Sequence, residues 1–332
     1  MAADMAAQPA VLRGLAERRG DVVRDLRGPS PAGVVIVARG SSDYAAIFGR
    51  YLLEAATGRP VALAAASLQT LYGVEPRLDG WLAVGISQSG RTPEITTVLE
   101  RYRHSGARTV AVTNDADSPL ATAASCCIPL GAGAEAAVPA TKTFTAQLAA
   151  MALLAEALGP VPWGDGDWRR LPDVVEELLV DWEPGERAAT ALGDAGELVA
   201  VGRGYLMCVA LEAALKLREA TGIRAEGWSA ADFRHGPVTV ASGDLPLLAV
   251  SAAGPAAADV EELAAELERA GTPVLRLADR PGASLPYPRE LAEPLRALPA
   301  TVRAQQLALS LARQRGLDPD TPPGLGKVTP TR

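Results

Sequence analysis

Three cysteines, two histidines and a 4% share of aromatic side chains already close off several kinds of protein. Cys126, Cys127 and Cys208 are odd in number, show no C-x-x-C spacing and have no histidine at ligand spacing. That argues against a disulfide framework and against zinc, so no metal or cofactor is expected. Cys126 and Cys127 adjoin in a predicted strand, where neighbouring side chains face opposite ways, and the thiols read as buried and free. No basic run interleaved with aromatics occurs, and Lys+Arg 32 against Asp+Glu 39 gives a net charge of −7. The electrostatic footprint of a nucleic-acid binder is therefore missing, although helix N-termini and hydroxyls can still hold a phosphate in an acidic protein. No stretch approaches the roughly 18–20 apolar residues of a membrane span, and the beginning of the chain, with Asp4, lacks a basic and then apolar leader. A reduced, cytoplasmic protein with neither nucleic-acid nor membrane partners is the expectation.

What is present is apolar and small. Of 332 residues, 48% are hydrophobic and 21% charged, enough for real cores and for two domains of about 100–200 residues each. The pattern predicts an N-terminal amphipathic helix over 9–27, then strand and helix in alternation: strands at 34–38, 61–65, 81–86 and 109–113, helices at 42–57 and 141–158. Apolar residues exposed on that last helix would suit a subunit interface. After Gly159-Pro160 a polar helical stretch leads to a restart, with strands at 198–201, 246–251 and 274–277 and helices at 205–221, 257–269 and 301–315. Such alternation implies parallel, doubly wound α/β sheets. The expected layout is an N-terminal helix (1–27), a first domain (28–162), a helical linker (163–190), a second domain (191–315) and an extended tail (316–332).

The restart is visible in single residues. Arg39-Gly40 and Ala56-Thr57-Gly58 recur at one constant offset as Arg203-Gly204 and Ala220-Thr221-Gly222, closing equivalent strands and helices. Duplication is the natural reading. The copies differ where chemistry could sit, because Ser41-Ser42 becomes Tyr205-Leu206, whereas Leu52 and Ala55 become Lys216 and Glu219.

Two constellations stand out. Ser87-Gln88-Ser89-Gly90-Arg91-Thr92-Pro93 follows a predicted strand and places Thr92 as N-cap and Pro93 at the first helical position. Such a turn offers free amides at the carboxyl ends of strands, where open α/β sheets bind ligands, and a plain capped turn is the competing account. In the helix 206–220, Glu212, Lys216 and Glu219 fall on one stripe, either a solvated face with an ion pair or a line of ionisable groups facing a cleft. His104 needs no more than a surface role. His235, in Arg234-His235-Gly236-Pro237, is held by a stiff loop and is an acid–base candidate. No G-x-S-x-G nucleophile elbow occurs.

These segments, with Ala140-Thr141-Lys142-Thr143-Phe144-Thr145 and the run Ala210–Glu219, occur in one order. That order resembles the sugar-isomerase (SIS) family, in particular the isomerase half of glucosamine-6-phosphate synthase and stand-alone SIS-type amino-sugar-phosphate deaminases. The resemblance implies two tandem flavodoxin-like domains and an amino-sugar phosphate as small-molecule partner. It gives Ser41, Ser42, Ser87, Gln88, Ser89 and Thr92, with Val138 and Thr141, to substrate and phosphate binding. Glu219 matches the proton-abstracting carboxylate, with Lys216 one turn before it and Lys327 as a tail lysine near the sugar carbonyl. His235 matches the ring-opening histidine that reaches into a partner subunit, which implies a homodimer with shared sites. Two departures stand beside the likeness. No cysteine precedes Cys126, so no glutaminase-type ammonia source is expected, and Arg39 takes a place usually held by a small residue, where it could touch an anionic or acylated substrate. The reaction expected is aldose–ketose isomerisation with deamination of a hexosamine 6-phosphate. Loss of water from an N-acetylated substrate is the alternative. A non-catalytic sugar-phosphate sensor would have no reason to hold Glu219, His235 and Lys327 together.

Overall fold

In the structure, a computed structural model, residues 1–241 and 243–326 are described. In chain order the elements of the first half are α1 (Ala2–Ala6), α2 (Gln8–Glu17), α3 (Arg19–Leu26), β1 (Val34–Val37), α4 (Ser41–Thr57), β2 (Val61–Leu63), α5 (Ala66–Thr70), β3 (Leu82–Ile86), α6 (Pro93–His104), β4 (Arg108–Thr113), α7 (Pro119–Ala123), β5 (Cys126–Pro129) and α8 (Lys142–Leu158). The second half adds α9 (Asp165–Val180), α10 (Glu183–Leu192), β6 (Glu197–Gly202), α11 (Met207–Thr221), β7 (Arg224–Ser229), α12 (Ala230–Arg234), β8 (Leu247–Ser251), α13 (Ala257–Arg269), β9 (Val274–Ala278), β10 (Leu285–Pro286) and α14 (Ala297–Gln314). No helix among the described residues is long and apolar enough to cross a membrane.

The chain forms two compact units. One comprises Ala10–Glu135 with Lys142–Gly164, and the other Met1–Pro9 with Ala136–Thr141 and Asp165–Leu325. Each holds a parallel five-stranded sheet, in the orders β2-β1-β3-β4-β5 and β10-β9-β8-β6-β7. Read in the same direction, both are the doubly wound 2-1-3-4-5 order, confirming the expected fold class.

The strand register extends the duplication beyond the sequence repeat. Val35 pairs with Ala83 in the first sheet as Val199 pairs with Leu247 in the second, and Val34 with Val61 as Leu198 with Ala225. The offset that relates Arg39-Gly40 to Arg203-Gly204 therefore holds unbroken through β3 and its turn. Ser87 corresponds to Ser251, Gly90 to Gly254 and Thr92 to Ala256.

In the first unit the face of the sheet carrying Val35, Val37 and Ala83 packs on Ile95, Val98, Leu99 and Tyr102 of α6. Alternation along β1 turns Ile36 to the other face, where α4 and α8 pack together. The apolar residues of α8 are not exposed, contrary to the expectation from sequence, because residues 142–155 are all buried within the single chain. A helix whose apolar residues run round its whole circumference from Leu148 to Ala155 is a core helix, and α3 and α4 cover what an interface was expected to cover. The thiols also differ from expectation. Cys208 is buried, but Cys126 and Cys127 are half-buried, since β5 is an edge strand paired only with β4.

In the second unit α11 lies between the β6–β7 pair and α14. A Cβ at Gly227 would stand 2.6 Å from the Leu211 Cα, so glycine there lets α11 rest directly on β7. That close seat fixes the helix that carries Glu212, Lys216 and Glu219.

Candidate functional site

The first unit brings its hydroxyls to the switch point of its sheet. There β1 and β3 lie side by side and their connections run in opposite directions, which opens a crevice at the strands' carboxyl ends. β1 runs through Gly40, the N-cap of α4, to Ser41 and Ser42, and β3 feeds the turn Ser87–Thr92 before α6. Nothing lies within 4 Å of where a Cβ would stand on Gly40, so the backbone on that side is open. At Gly90, with φ of 62°, a Cβ would meet the Ser118 Oγ at 2.1 Å, and only glycine fits. Thr92 is the N-cap residue but makes no side-chain cap bond, and its Oγ1 lies 3.2 Å from the Ser87 Oγ. The Ser89 Oγ accepts from the Arg91 N–H, while Gln88 is half-buried beside it. Ser42 is buried, and its Oγ accepts a hydrogen bond of 3.0 Å from the Gln147 amide nitrogen of α8. Ser41 is half-buried next to it. The structure thus sets Ser42, in the first turn of α4, and Ser87, Ser89 and Thr92, in the turn after β3, on the two connections that flank one switch point.

Arg39 sits at the same crevice but is engaged. Its guanidinium donates to Glu94 at 2.8 Å, in the first turn of α6. Arg203, its counterpart, pairs with Asp259 at 3.2 Å, in the first turn of α13, and donates to Ser229. Both halves keep a clasp from the end of the first strand to the helix after the third, although only one half keeps the hydroxyls. The recurrence marks the clasp as a fastening of the fold. Beside it, burial raises the Asp43 carboxyl above its ordinary value and the Arg39 cation works against that rise.

The second unit gathers charge inside its core. On α11 the Lys216 ammonium pairs with Glu212 at 3.4 Å and with Glu219. Lys216 is 0% exposed and Glu212 1%, whereas Glu219 reaches 19%. The solvated-face reading of this stripe therefore fails. Charges buried this way are costly unless paired, so the arrangement needs a reason other than solubility. Burial lowers the Lys216 pKa, but Glu212, and then Glu219, outweigh it and the net direction is upward. Lys216 is an ammonium here, a source of positive field rather than a base. The Cys208 thiol, one turn before Glu212, is pushed up by burial and by that carboxylate, and donates to the Tyr205 carbonyl. It is an inert core thiol.

His235 follows α12 in the same unit, is exposed, and makes no hydrogen bond to the Glu212–Lys216–Glu219 line among the described residues. Val138 and Thr141 lie on a strap, Ala136–Thr141, that packs with the second unit. The Ala136 and Ala137 amides both donate to the Asp4 carboxylate at 3.0 Å, and the Val138 amide donates to the Asp320 carbonyl at 2.9 Å. Thr141 is buried and its carbonyl accepts from Gln305. Lys327 lies outside the described residues. Sequence reasoning passed over Gln147 and Asp4. A lone glutamine amid the alanines and leucines of α8 was a visible signal, whereas nothing local to Asp4 points 132 residues ahead to Ala136.

Comparison with known proteins places these features in a family. The model of the SIS domain matches residues 31–157 and 191–291. Glutamine–fructose-6-phosphate aminotransferase (isomerizing) of Methanothermobacter thermautotrophicus is 31% identical over 95% of this chain and 52% of its own length. The chain spans about half the length of the curated relatives it matches. Among solved structures, a protein of Silicibacter pomeroyi DSS-3, described provisionally as a phosphosugar isomerase, is 31% identical with a TM-score of 0.80, covering 96% of this chain and 99% of that one. Glucosamine-6-phosphate deaminase of Thermotoga maritima shares the fold at a TM-score of 0.80 and 24% identity, covering 99% of this chain and 98% of that one.

Proposed function

The chain belongs to the SIS domain family, and on that premise we propose that it is an isomerase–deaminase of a hexosamine 6-phosphate. The observation that carries the reading is the buried Glu212–Lys216–Glu219 line, whose last member alone reaches the surface. A stability role is poorly served by three ionisable groups on a core helix, whereas proton abstraction beside a carbonyl needs a carboxylate with a fixed neighbouring cation.

In this reaction the hydroxyls of Ser42, Ser87, Ser89 and Thr92, with Ser41 and Gln88, hold the phosphate. His235 assists opening of the sugar ring. Glu219 takes the proton from C2 of the open aldose, and the Lys216 ammonium stabilises the negative charge that develops on the carbonyl oxygen. Return of the proton at C1 gives the ketose imine, and water hydrolyses it to ammonia and fructose 6-phosphate. Names of relatives support this choice of substrate, since the aminotransferases are named for fructose 6-phosphate and for isomerising, and the deaminase for glucosamine 6-phosphate. Incubation with glucosamine 6-phosphate should release ammonia and fructose 6-phosphate in equal amounts. Ultraviolet-absorbing enal from N-acetylglucosamine 6-phosphate, without ammonia from the free amine, would move the protein to the lyases.

We extend the proposal to assembly. An exposed His235 with no bond to Glu219 in its own chain suits a homodimer in which the imidazole serves the partner's site. Mixing inactive His235→Ala with inactive Glu219→Gln should restore part of the activity, because one mixed site holds both native residues. Heterodimers that form and stay inactive would contradict shared sites.

A further inference from the structure

The hydrogen-bond polarity at Ser42 goes one step further than the phosphate reading, on which it rests. Gln147 is 1% exposed on α8, between the polar first turn of that helix and a run of alanine, leucine and methionine, and its amide nitrogen donates to the Ser42 Oγ at 3.0 Å. Its own carbonyl oxygen finds no partner among the described residues, although it is buried. A buried amide oxygen left without a bond is costly, so this side chain is kept for what its nitrogen does. A serine hydroxyl has one hydrogen to give and two lone pairs. With a lone pair of Ser42 taken by Gln147, and no acceptor for its hydrogen among the described residues, that hydrogen is free toward the crevice.

We infer that Gln147 is a positioning residue that makes Ser42 a one-way hydrogen-bond donor to the phosphate of the substrate. Without a donor behind it, a serine at this place would have no fixed hydroxyl direction and would turn among its staggered positions. Anchored from behind by a donor, it presents its O–H to an anion and is repaid by a charge-assisted bond. The Ser87 and Thr92 hydroxyls, 3.2 Å apart, have no such polariser: either can give a hydrogen to the other, and only one of the pair's two hydrogens is committed inward. Ser42 is the hydroxyl whose direction the fold sets.

The test is a double-mutant cycle read by calorimetric titration with glucosamine 6-phosphate, using unphosphorylated glucosamine as control. Gln147→Met keeps the size of the side chain and removes the donor. Its affinity for glucosamine 6-phosphate should fall about tenfold, the order of one hydrogen bond to a charged group. In a Ser42→Ala background the same change should cost less than about twofold, because the effect travels through Ser42. Turnover at saturating substrate should stay native while KM rises, which a general loosening of the core would not give. Should Gln147→Met fail to fold, Gln147→Leu answers the same question: it also removes the donor and introduces no group that can give or take a proton, so affinity for the phosphorylated sugar must fall. Losses that add in the two backgrounds, or native affinity in Gln147→Leu, overturn the inference alone. Equal affinity of the native protein for both sugars overturns the phosphate reading and the inference with it.

Discussion

Glu219→Gln should bind glucosamine 6-phosphate with near-native affinity and turn it over at least about 10²-fold more slowly. The amide keeps the size of the side chain and its place at the surface end of the α11 line, but it cannot accept the C2 proton. Positioned proton transfer contributes about 10²–10⁴-fold, which sets the floor of the loss. Exchange of the C2 hydrogen with deuterated water isolates the step, since it requires abstraction and return of that proton but not departure of ammonia. It should vanish with turnover in Glu219→Gln whichever group leaves afterwards. Exchange persisting at a near-native rate would transfer the role to another residue, with His235 the first to examine.

Why the line was ambiguous in the sequence is physical. Spacing places Glu212, Lys216 and Glu219 on one stripe of a helix but does not say what covers the stripe, and the cover is α14, about a hundred residues later. The same blindness worked in reverse at α8, whose apolar residues were expected outside and are enclosed by α3 and α4. β7 escaped notice because Arg224-Ala-Glu-Gly-Trp-Ser lacks an apolar alternation. As an edge strand it pairs only with β6, and its glycine serves α11 rather than the strand. The N-terminal helix expected over 9–27 is two, α2 and α3, parted at Arg18 beside Gly20. What was legible had local chemistry: the Thr92-Pro93 helix start, the Gly58 and Gly222 helix ends, and the constant offset between halves that the strand register carries through Ser87 and Ser251. Gln147 and Ser42 are 105 residues apart, so their bond could be known only from the fold.

Lys216→Met should cost more stability than any other single change proposed for this chain. The substitution fills most of the same volume but leaves Glu212, 1% exposed, without its cation. Removing one partner of a buried ion pair typically costs about 3–5 kcal/mol, enough to lower the melting temperature of the second unit by on the order of 10 °C. The pH dependence gives the sign. In the native protein burial opposes the ammonium and Glu212 and Glu219 overcome it, so the folded pKa is raised. A raised folded value makes the stabilisation complete below the unfolded lysine pKa of about 10.4 and loses it only as pH rises through the folded value. Native stability should therefore hold through neutral and mildly alkaline solution as far as this group is concerned. The variant should behave differently at acid and neutral pH. Its folded state favours a protonated Glu212, while the unfolded chain releases that proton above about pH 4.3, so stability should fall as pH rises above that value. Adding Glu212→Leu to Lys216→Met removes the stranded charge and should restore much of the melting temperature, since well-packed apolar groups often replace a buried pair without loss. Activity should not return with it, because the cation beside Glu219 is still missing. A double variant that regains both stability and turnover would reduce Lys216 to packing, and a single variant as stable as the native protein, with no slope in pH, would mean that the ammonium does not hold Glu212 in the core.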